Sequence, residues 1–255
     1  MPSAYLLVSH GSRDPRPEIA MQQLAELLRC ILQSEFDKNP NQAAIADKVV
    51  SRLSYEKLVG VAYLEMSSEP LHEQIKQFAK SVGCECNCVK IIPLFLLPGV
   101  HAMTDIPAEV VLAQQALGQN MIIELQPYLG SHPNLEKLLA KSLATIKAEA
   151  RILLAHGSRR LKSQEPVEAM AKSLGAVAAY WAGPPSLELR VKEFVGAGYR
   201  EIAILPYFLF VGGITDAIAQ SIEELKLQFP AVTFQLAQPL GASRELAQLI
   251  WDLCR

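Results

Sequence analysis

The chain is short of cysteine, of net charge and of long hydrophobic runs, and each shortage removes a class of function. Its 255 residues hold five cysteines, at 30, 84, 86, 88 and 254, an odd set with no disulfide framework. Such usage suits reducing surroundings. No segment approaches the ~20 consecutive apolar residues of a membrane span. The opening MPSAYLLV has no basic flank, so it reads as a first strand and not as an export signal. We therefore expect a cytoplasmic protein with no membrane partner. A formal net charge of −2 supplies no global basic field to draw in nucleic acid. A GxxxxGK[ST] phosphate loop is missing as well, which argues against ATP as a co-reactant.

What is present is an ordinary globular composition, 50% hydrophobic and 20% charged, organised by an internal repeat. AYLLVSHGSR at 4–13 is answered by ARILLAHGSR at 150–159, and IIPLFLLPG at 91–99 by ILPYFLFVG at 204–212. Thr104-Asp105 is echoed by Thr215-Asp216, and QPYLG at 126–130 by QPLGA at 238–242, in the same order. The repeat places a domain boundary between 1–147 and 148–255. His10 to Tyr63 is 53 residues and the matching His156 to Tyr180 is 24, so the first half carries an insertion in or near 36–57.

Each half alternates short apolar runs with helix-period stretches. Runs near 4–8, 60–64, 89–97 and 121–126, and again near 151–155, 176–181, 202–210 and 232–236, are bounded by turn residues, as buried parallel strands are. Leu24, Leu27, Leu28, Ile31 and Leu32 form one helical stripe behind Pro15 and Pro17. Further helices are expected over 71–82, 104–118 and 133–147. The predicted fold class is α/β: two tandem related flavodoxin-like domains, each a parallel sheet flanked by helices.

In open α/β sheets, ligands bind outside the carboxyl ends of the strands. After the first strand stands Ser9-His10-Gly11-Ser12-Arg13, after the second Glu65, and after the third Pro98-Gly99-Val100-His101. Two imidazoles and a carboxylate at one sheet edge suit a divalent transition metal, and the carboxylate also suits proton transfer. Gly11 and Gly99 allow backbone to approach a ligand, and the first helix offers N–H groups to an anion. The second half keeps His156, but Ala182 stands where Glu65 does, and GGITD at 212–216 has no histidine. One half therefore retains a whole site and the other a degenerate one. His72 and His132 read as surface or capping residues. Cys84-x-Cys86-x-Cys88 reads as buried structural thiols ahead of a strand, with a soft-metal site as the less favoured reading.

The elements LLVSHGSRDPR, YLEMSSEP, PLFLLPGVHAMTDIPAEV and PYFLFVGG resemble the class II chelatases, and among them the long two-domain sirohydrochlorin chelatases. The resemblance covers nearly the whole chain. It implies a pair of chelatase-type α/β domains and a lyase-class enzyme. Such an enzyme inserts Fe²⁺ or Co²⁺ into sirohydrochlorin without ATP, in siroheme or cobalamin synthesis. It implies His10, Glu65 and His101 as catalytic and metal-handling residues. The metal is a substrate, and no cofactor is permanently bound. The many carboxylates of the tetrapyrrole call for cationic and backbone donors, for which Arg13, Arg16, Gly99, Arg159 and Arg160 are candidates. This chain lacks the histidine-rich tract and the carboxyl-terminal cysteine motif of certain cobalt-inserting members, which tilts the expectation toward iron. Alternatives are a protoporphyrin ferrochelatase, a non-catalytic tetrapyrrole or metal carrier, and a phosphoryl-transfer enzyme using His10 with Arg13. The last fits poorly, because acid-type phosphatases order these residues Arg-His-Gly. A chain carrying both halves is expected to work as a monomer.

Overall fold

A computed structural model of the chain describes residues 3–37, 57–83, 86–119, 121–157 and 164–255. Most of the insertion near 36–57 lies outside the described residues, as do Cys84, Arg159 and Arg160. The first repeat runs β1 (Ser3–Ser9), α1 (Pro15–Asp37), β2 (Val59–Tyr63), α2 (Leu71–Val82), β3 (Cys88–Pro93), a π-helical turn (His101–Asp105), α3 (Ile106–Leu117), β4 (Ile122–Leu125), a 3-10 turn (Leu129–Ser131) and α4 (Leu135–Ala144). The second runs β5 (Ala150–Ala155), α5 (Glu165–Ser173), β6 (Val177–Tyr180), α6 (Leu187–Gly196), β7 (Glu201–Pro206), α7 (Gly213–Gln228), β8 (Thr233–Leu236) and α8 (Arg244–Leu253).

Two four-stranded parallel sheets result, ordered β2-β1-β3-β4 and β6-β5-β7-β8. The expected α/β class, with related sheets in the two halves, is what the chain forms. Strand β1 is buried continuously and not alternately, as a sheet covered on both faces requires. Ala4, Leu6 and Val8 cluster with Leu71, Ile75 and Ala79 of α2 and with Ile106, Val110 and Ala113 of α3. The intervening Tyr5 and Leu7 are buried on the opposite face. There the Tyr5 ring meets Trp251 of α8 edge-on at 5.5 Å, and α1 packs along α8. Met21, Leu24, Leu28, Ile31 and Leu32 of α1 are buried, whereas Leu27 is half-buried. Each such burial contributes roughly 1.5–3 kcal/mol, against a few tenths for differences in helix propensity. Packing therefore decides that α1 is a helix. In the second sheet Ile152 and Leu154 pack against Leu187 and Val191 of α6 and Ile218, Ile222 and Leu225 of α7.

The contacts divide the chain into Met1–His132 with Ala242–Arg255, and Pro133–Gly241. Helix α8 thus belongs with the first sheet and α4 with the second, whereas the sequence repeat divides at 147/148. Besides the Trp251 contact, Lys90 Nζ donates to the Cys254 carbonyl at 2.6 Å and Arg255 pairs with Glu35.

One expectation changes in detail and two become specific. The strands expected over 89–97 and 202–210 stop at Pro93 and Pro206, because proline has no N–H to continue the ladder. The apolar residues beyond leave the sheet as a loop, and the Phe95 carbonyl accepts from Gly130 N at 2.9 Å. His132 is buried and caps the 3-10 turn, its N–H donating to Leu129 O at 3.0 Å, so of the expected surface or capping roles it takes the capping one. His72 is half-buried in the first turn of α2, where its backbone N–H and its Nδ1 both meet Glu109 Oε2, at 2.7 and 2.8 Å. Cys86 and Cys88 are free and buried.

Burial pushes the Cys254 thiol up from 9.0 to about 12 and the Tyr63 phenol up from 10.0 to about 12. Both groups are neutral when protonated, so their burial favours the protonated form. The associated stability is fully present below the unfolded values and is lost as pH rises through the folded ones. The denaturant midpoint is expected to fall between pH 9 and 12, and to fall less in Cys254→Ala. An equally steep fall in that variant contradicts the assignment.

Candidate functional site

The register of the first sheet builds the site. Ser9 pairs with Tyr63 at the carboxyl ends of β1 and β2. The ladder runs on past both strands, with Leu64 N donating to Ser9 O at 2.9 Å and Glu65 N to His10 O at 2.8 Å. His10 and Glu65 are held beside each other by backbone hydrogen bonds. Gly11 then turns away with φ of +94°, and a Cβ there would stand 2.1 Å from the Glu65 carbonyl oxygen. Only glycine fits under that carbonyl. Met66 follows in the left-handed region, with φ of 58°, a costly conformation for a non-glycine residue that recurs at functional sites.

His101 arrives from the loop after β3. Leu94 N donates to Val8 O at 2.7 Å, anchoring the start of that loop beside β1. The loop ends in the π-helical turn, where Ile106 N bonds His101 O. Turns widened in this way are frequent at functional sites.

The three side chains converge. One donor atom from each of His10, Glu65 and His101 lies within 4.8 Å of the others, the single such group of three among the described residues. His10 Nε2 is 3.5 Å from Glu65 Oε2, and the two imidazoles meet edge-on with centroids 5.0 Å apart. Their side chains are 48%, 45% and 36% exposed for His10, Glu65 and His101, so a ligand reaches all three from solvent. His10 Nδ1 faces the Gly11 carbonyl at a long 3.3 Å, and His101 Nδ1 lies 2.8 Å from Asp105 Oδ2. A carboxylate oxygen only accepts, so the Asp105 contact places the proton of a neutral His101 ring on Nδ1 and leaves its Nε2 with a lone pair. Donors that ligate one ion at about 2.0–2.2 Å stand roughly 3–3.5 Å apart. Small side-chain rotations bring the trio to that spacing. Glu65, Asp105 and Glu109 line an open cleft with Leu64, Leu71 and Ala108, an acidic lining that attracts cations.

Unit two repeats the backbone without the donors. Trp181 N bonds Ala155 O at 2.9 Å, Ala182 N bonds His156 O at 2.8 Å, and Gly157 has φ of +90°. Ala182 therefore stands where Glu65 does, as the repeat predicted, and the carboxylate is gone. At the third position, α7 begins directly at Gly213, with Thr215 Oγ1 accepting from Gly212 N at 2.8 Å. The π turn, with its two additional residues, has no counterpart there.

The expected substrate-binding residues fare differently. Arg13 is exposed beside the trio's loop. Arg16 is held by Asp14 through Nε at 3.0 Å and Nη2 at 2.5 Å, and this partner lowers the Asp14 carboxyl to about 2. Asp14 also accepts from Arg16 N at 3.0 Å, so it caps α1, and part of the expected anion site is already filled by this carboxylate. Gly99 has open space around it. Sequence reasoning missed Asp105 and the left-handed Met66. The spacing His101-x-x-x-Asp105 was the available signal for the first; nothing marked the second.

A family model described as CbiX matches residues 4–146 and 150–254. A curated protein described as sirohydrochlorin ferrochelatase, from Priestia megaterium, is 23% identical over 203 residues, 74% of this chain and 74% of its own length. One described as sirohydrochlorin cobaltochelatase, from the same organism, is 22% identical over 178 residues, 64% of this chain and 58% of its own length. The solved structure of SirB from Bacillus subtilis with Fe3+ superposes with a TM-score of 0.69 at 20% identity, covering 100% of this chain and 95% of that one.

Gly11→Ala is expected to destabilise the fold by about 1–3 kcal/mol, since it combines positive φ with a backbone clash. Gly99→Ala is expected to change stability by less than about 0.5 kcal/mol. Denaturant titration of both variants checks this, and equal effects contradict it.

Proposed function

Because the chain belongs to the CbiX family of class II chelatases, we propose that it inserts a divalent metal ion into sirohydrochlorin at His10, Glu65 and His101. The observation that carries this reading is the convergence of those three donors at one sheet edge, within 4.8 Å and open to solvent. Relatives described as ferrochelatase and as cobaltochelatase support the reaction type and leave Fe²⁺ and Co²⁺ both in play. We place iron first on the sequence features noted above. Residues 1–147 and 148–255 are taken as the duplicated units, with the site in the first. Siroheme or cobalamin synthesis is the corresponding pathway context, in a cytoplasmic monomer.

Insertion has a simple balance: the free-base ring gives up its two pyrrole N–H protons and receives the ion on the nitrogens. The lone pairs on His10 Nε2 and His101 Nε2 replace water on the incoming ion. Glu65 holds the ion from the third side and accepts one pyrrole proton as the ion leaves it, and the second proton passes to solvent water at the exposed edge of the site. With all three donors on one edge, metal delivery and proton removal occur on the same ring face. Positioning and general-base catalysis carry the rate, the latter worth about 10²–10⁴-fold. Arg13, Arg16 and the Gly99 backbone are the proposed partners of the ring carboxylates in unit one. Arg159 and Arg160, outside the described residues, are proposed from sequence alone.

The test is anaerobic insertion of Fe²⁺ and Co²⁺ into sirohydrochlorin, followed by absorbance. The wild type is expected to accelerate insertion over buffer, and His10→Ala to lose about 10²-fold or more with its fold intact. Tight ring binding without acceleration overturns the enzyme and favours a carrier. Acceleration only with protoporphyrin favours the other ferrochelatase reading.

A further inference from the structure

We propose that Asp105 is a positioning residue, which holds the His101 imidazole in the tautomer and orientation that the metal requires. This inference rests on the reading of His10, Glu65 and His101 as a metal site. Its own evidence lies in the turn between them. His101 Nδ1 and Asp105 Oδ2 are 2.8 Å apart across the π-helical turn. The Asp105 side chain is 40% exposed and the imidazole 36%, so the pair is open to solvent. A carboxylate oxygen has no proton to give, so it accepts Nδ1–H and leaves Nε2 as the donor toward the ion. A carboxylate behind a ligating imidazole fixes ring orientation and raises ligand basicity. Without it the rings of His10 and Phe95 still flank the imidazole, but either nitrogen can carry the proton.

The repeat separates this role from a merely helical one. Asp216 occupies the matching position in unit two, in the first turn of α7, with its backbone N–H on Gly212 O at 3.0 Å. An acid in the first turn complements the helix dipole in either copy. In unit one, two added residues between Gly99 and Thr104 wind the turn wider and bring a histidine to the same aspartate. The aspartate is thus shared by both copies, and its contact with a metal-facing imidazole exists in one. Asp105 also lines a cleft with Glu65, so its loss acts next to the donor trio and not at a distance.

The experiment uses the full chain with ¹⁵N-labelled histidine and Co²⁺ alone as probe. Two-bond nitrogen–proton spectra of the metal-free protein read the His101 tautomer, assigned with His101→Ala. Co²⁺ titration, followed by its visible absorption, reads affinity. The wild type is expected to show the proton on Nδ1. Asp105→Ala is expected to lose that tautomer preference and to bind Co²⁺ about 10–100-fold more weakly. Asp105→Asn keeps an accepting oxygen, so it is expected to retain the tautomer and to recover most of the affinity. That rescue is not expected of a first-turn acid acting only through charge. A proton on Nε2 in the wild type, or Asp105→Ala binding as tightly as the wild type, overturns the proposal. Loss in Asp105→Asn equal to that in Asp105→Ala overturns it too. Wild-type affinity unchanged by His101→Ala overturns the metal-site reading on which the proposal rests, and the proposal with it.

Discussion

The site depends on one feature of the backbone: the parallel ladder between β1 and β2 does not stop where the strands do. Glu65 N still bonds His10 O at 2.8 Å after both strands have ended, so a histidine and a glutamate distant in sequence are placed by main-chain hydrogen bonds. Gly11 makes this possible, because any side chain there collides with the Glu65 carbonyl. The half-exposed donors are therefore open to a ligand and yet anchored at their backbones, which is the preorganisation that metal capture needs. β3, beside β1, brings the third loop to the same edge, and the π turn finishes the work for His101.

The two copies of the unit separate fold from chemistry. Both keep the ladder extension, the glycine in the left-handed region and the strand-ending proline. These belong to the architecture. What differs is a carboxylate replaced by Ala182 and two residues missing ahead of α7. Neither change disturbs the sheet, since side chains beyond the strand ends contribute little to the buried cores of Ile152, Leu154 and their neighbours. A donor set at the edge of a sheet can be lost without cost to folding, so its retention in one copy points to use.

Much of this was readable in the residues. Apolar runs bounded by turn residues gave the parallel strands, and the repeat gave their correspondence. The edge rule then gave His10, Glu65 and His101 together. Where reading fell short, the cause is physical. Apolar run length counts buried residues and not hydrogen-bonded ones, so the runs at 89–97 and 202–210 hid the stops at Pro93 and Pro206. The stripe on α8 marks an amphipathic helix, but hydrophobic burial has no direction. Nothing in the sequence around Trp251 says that its ring meets Tyr5. The pattern HAMTDIP suggests a helix from Thr104. A widened turn one step earlier leaves no mark on periodicity, so the sequence marks Asp105 only as part of the Thr-Asp echo between the halves. The Asp14–Arg16 pair was hidden too, because at two residues' separation the sequence cannot say whether the side chains meet.

The measurement that bears most directly on this account is anomalous diffraction from crystals of the protein grown anaerobically with Co²⁺. The account predicts an ion within about 2.0–2.2 Å of His10 Nε2, His101 Nε2 and a Glu65 carboxylate oxygen, with nothing bound at His156. An ion held elsewhere, with the trio in contact only with water, would contradict it.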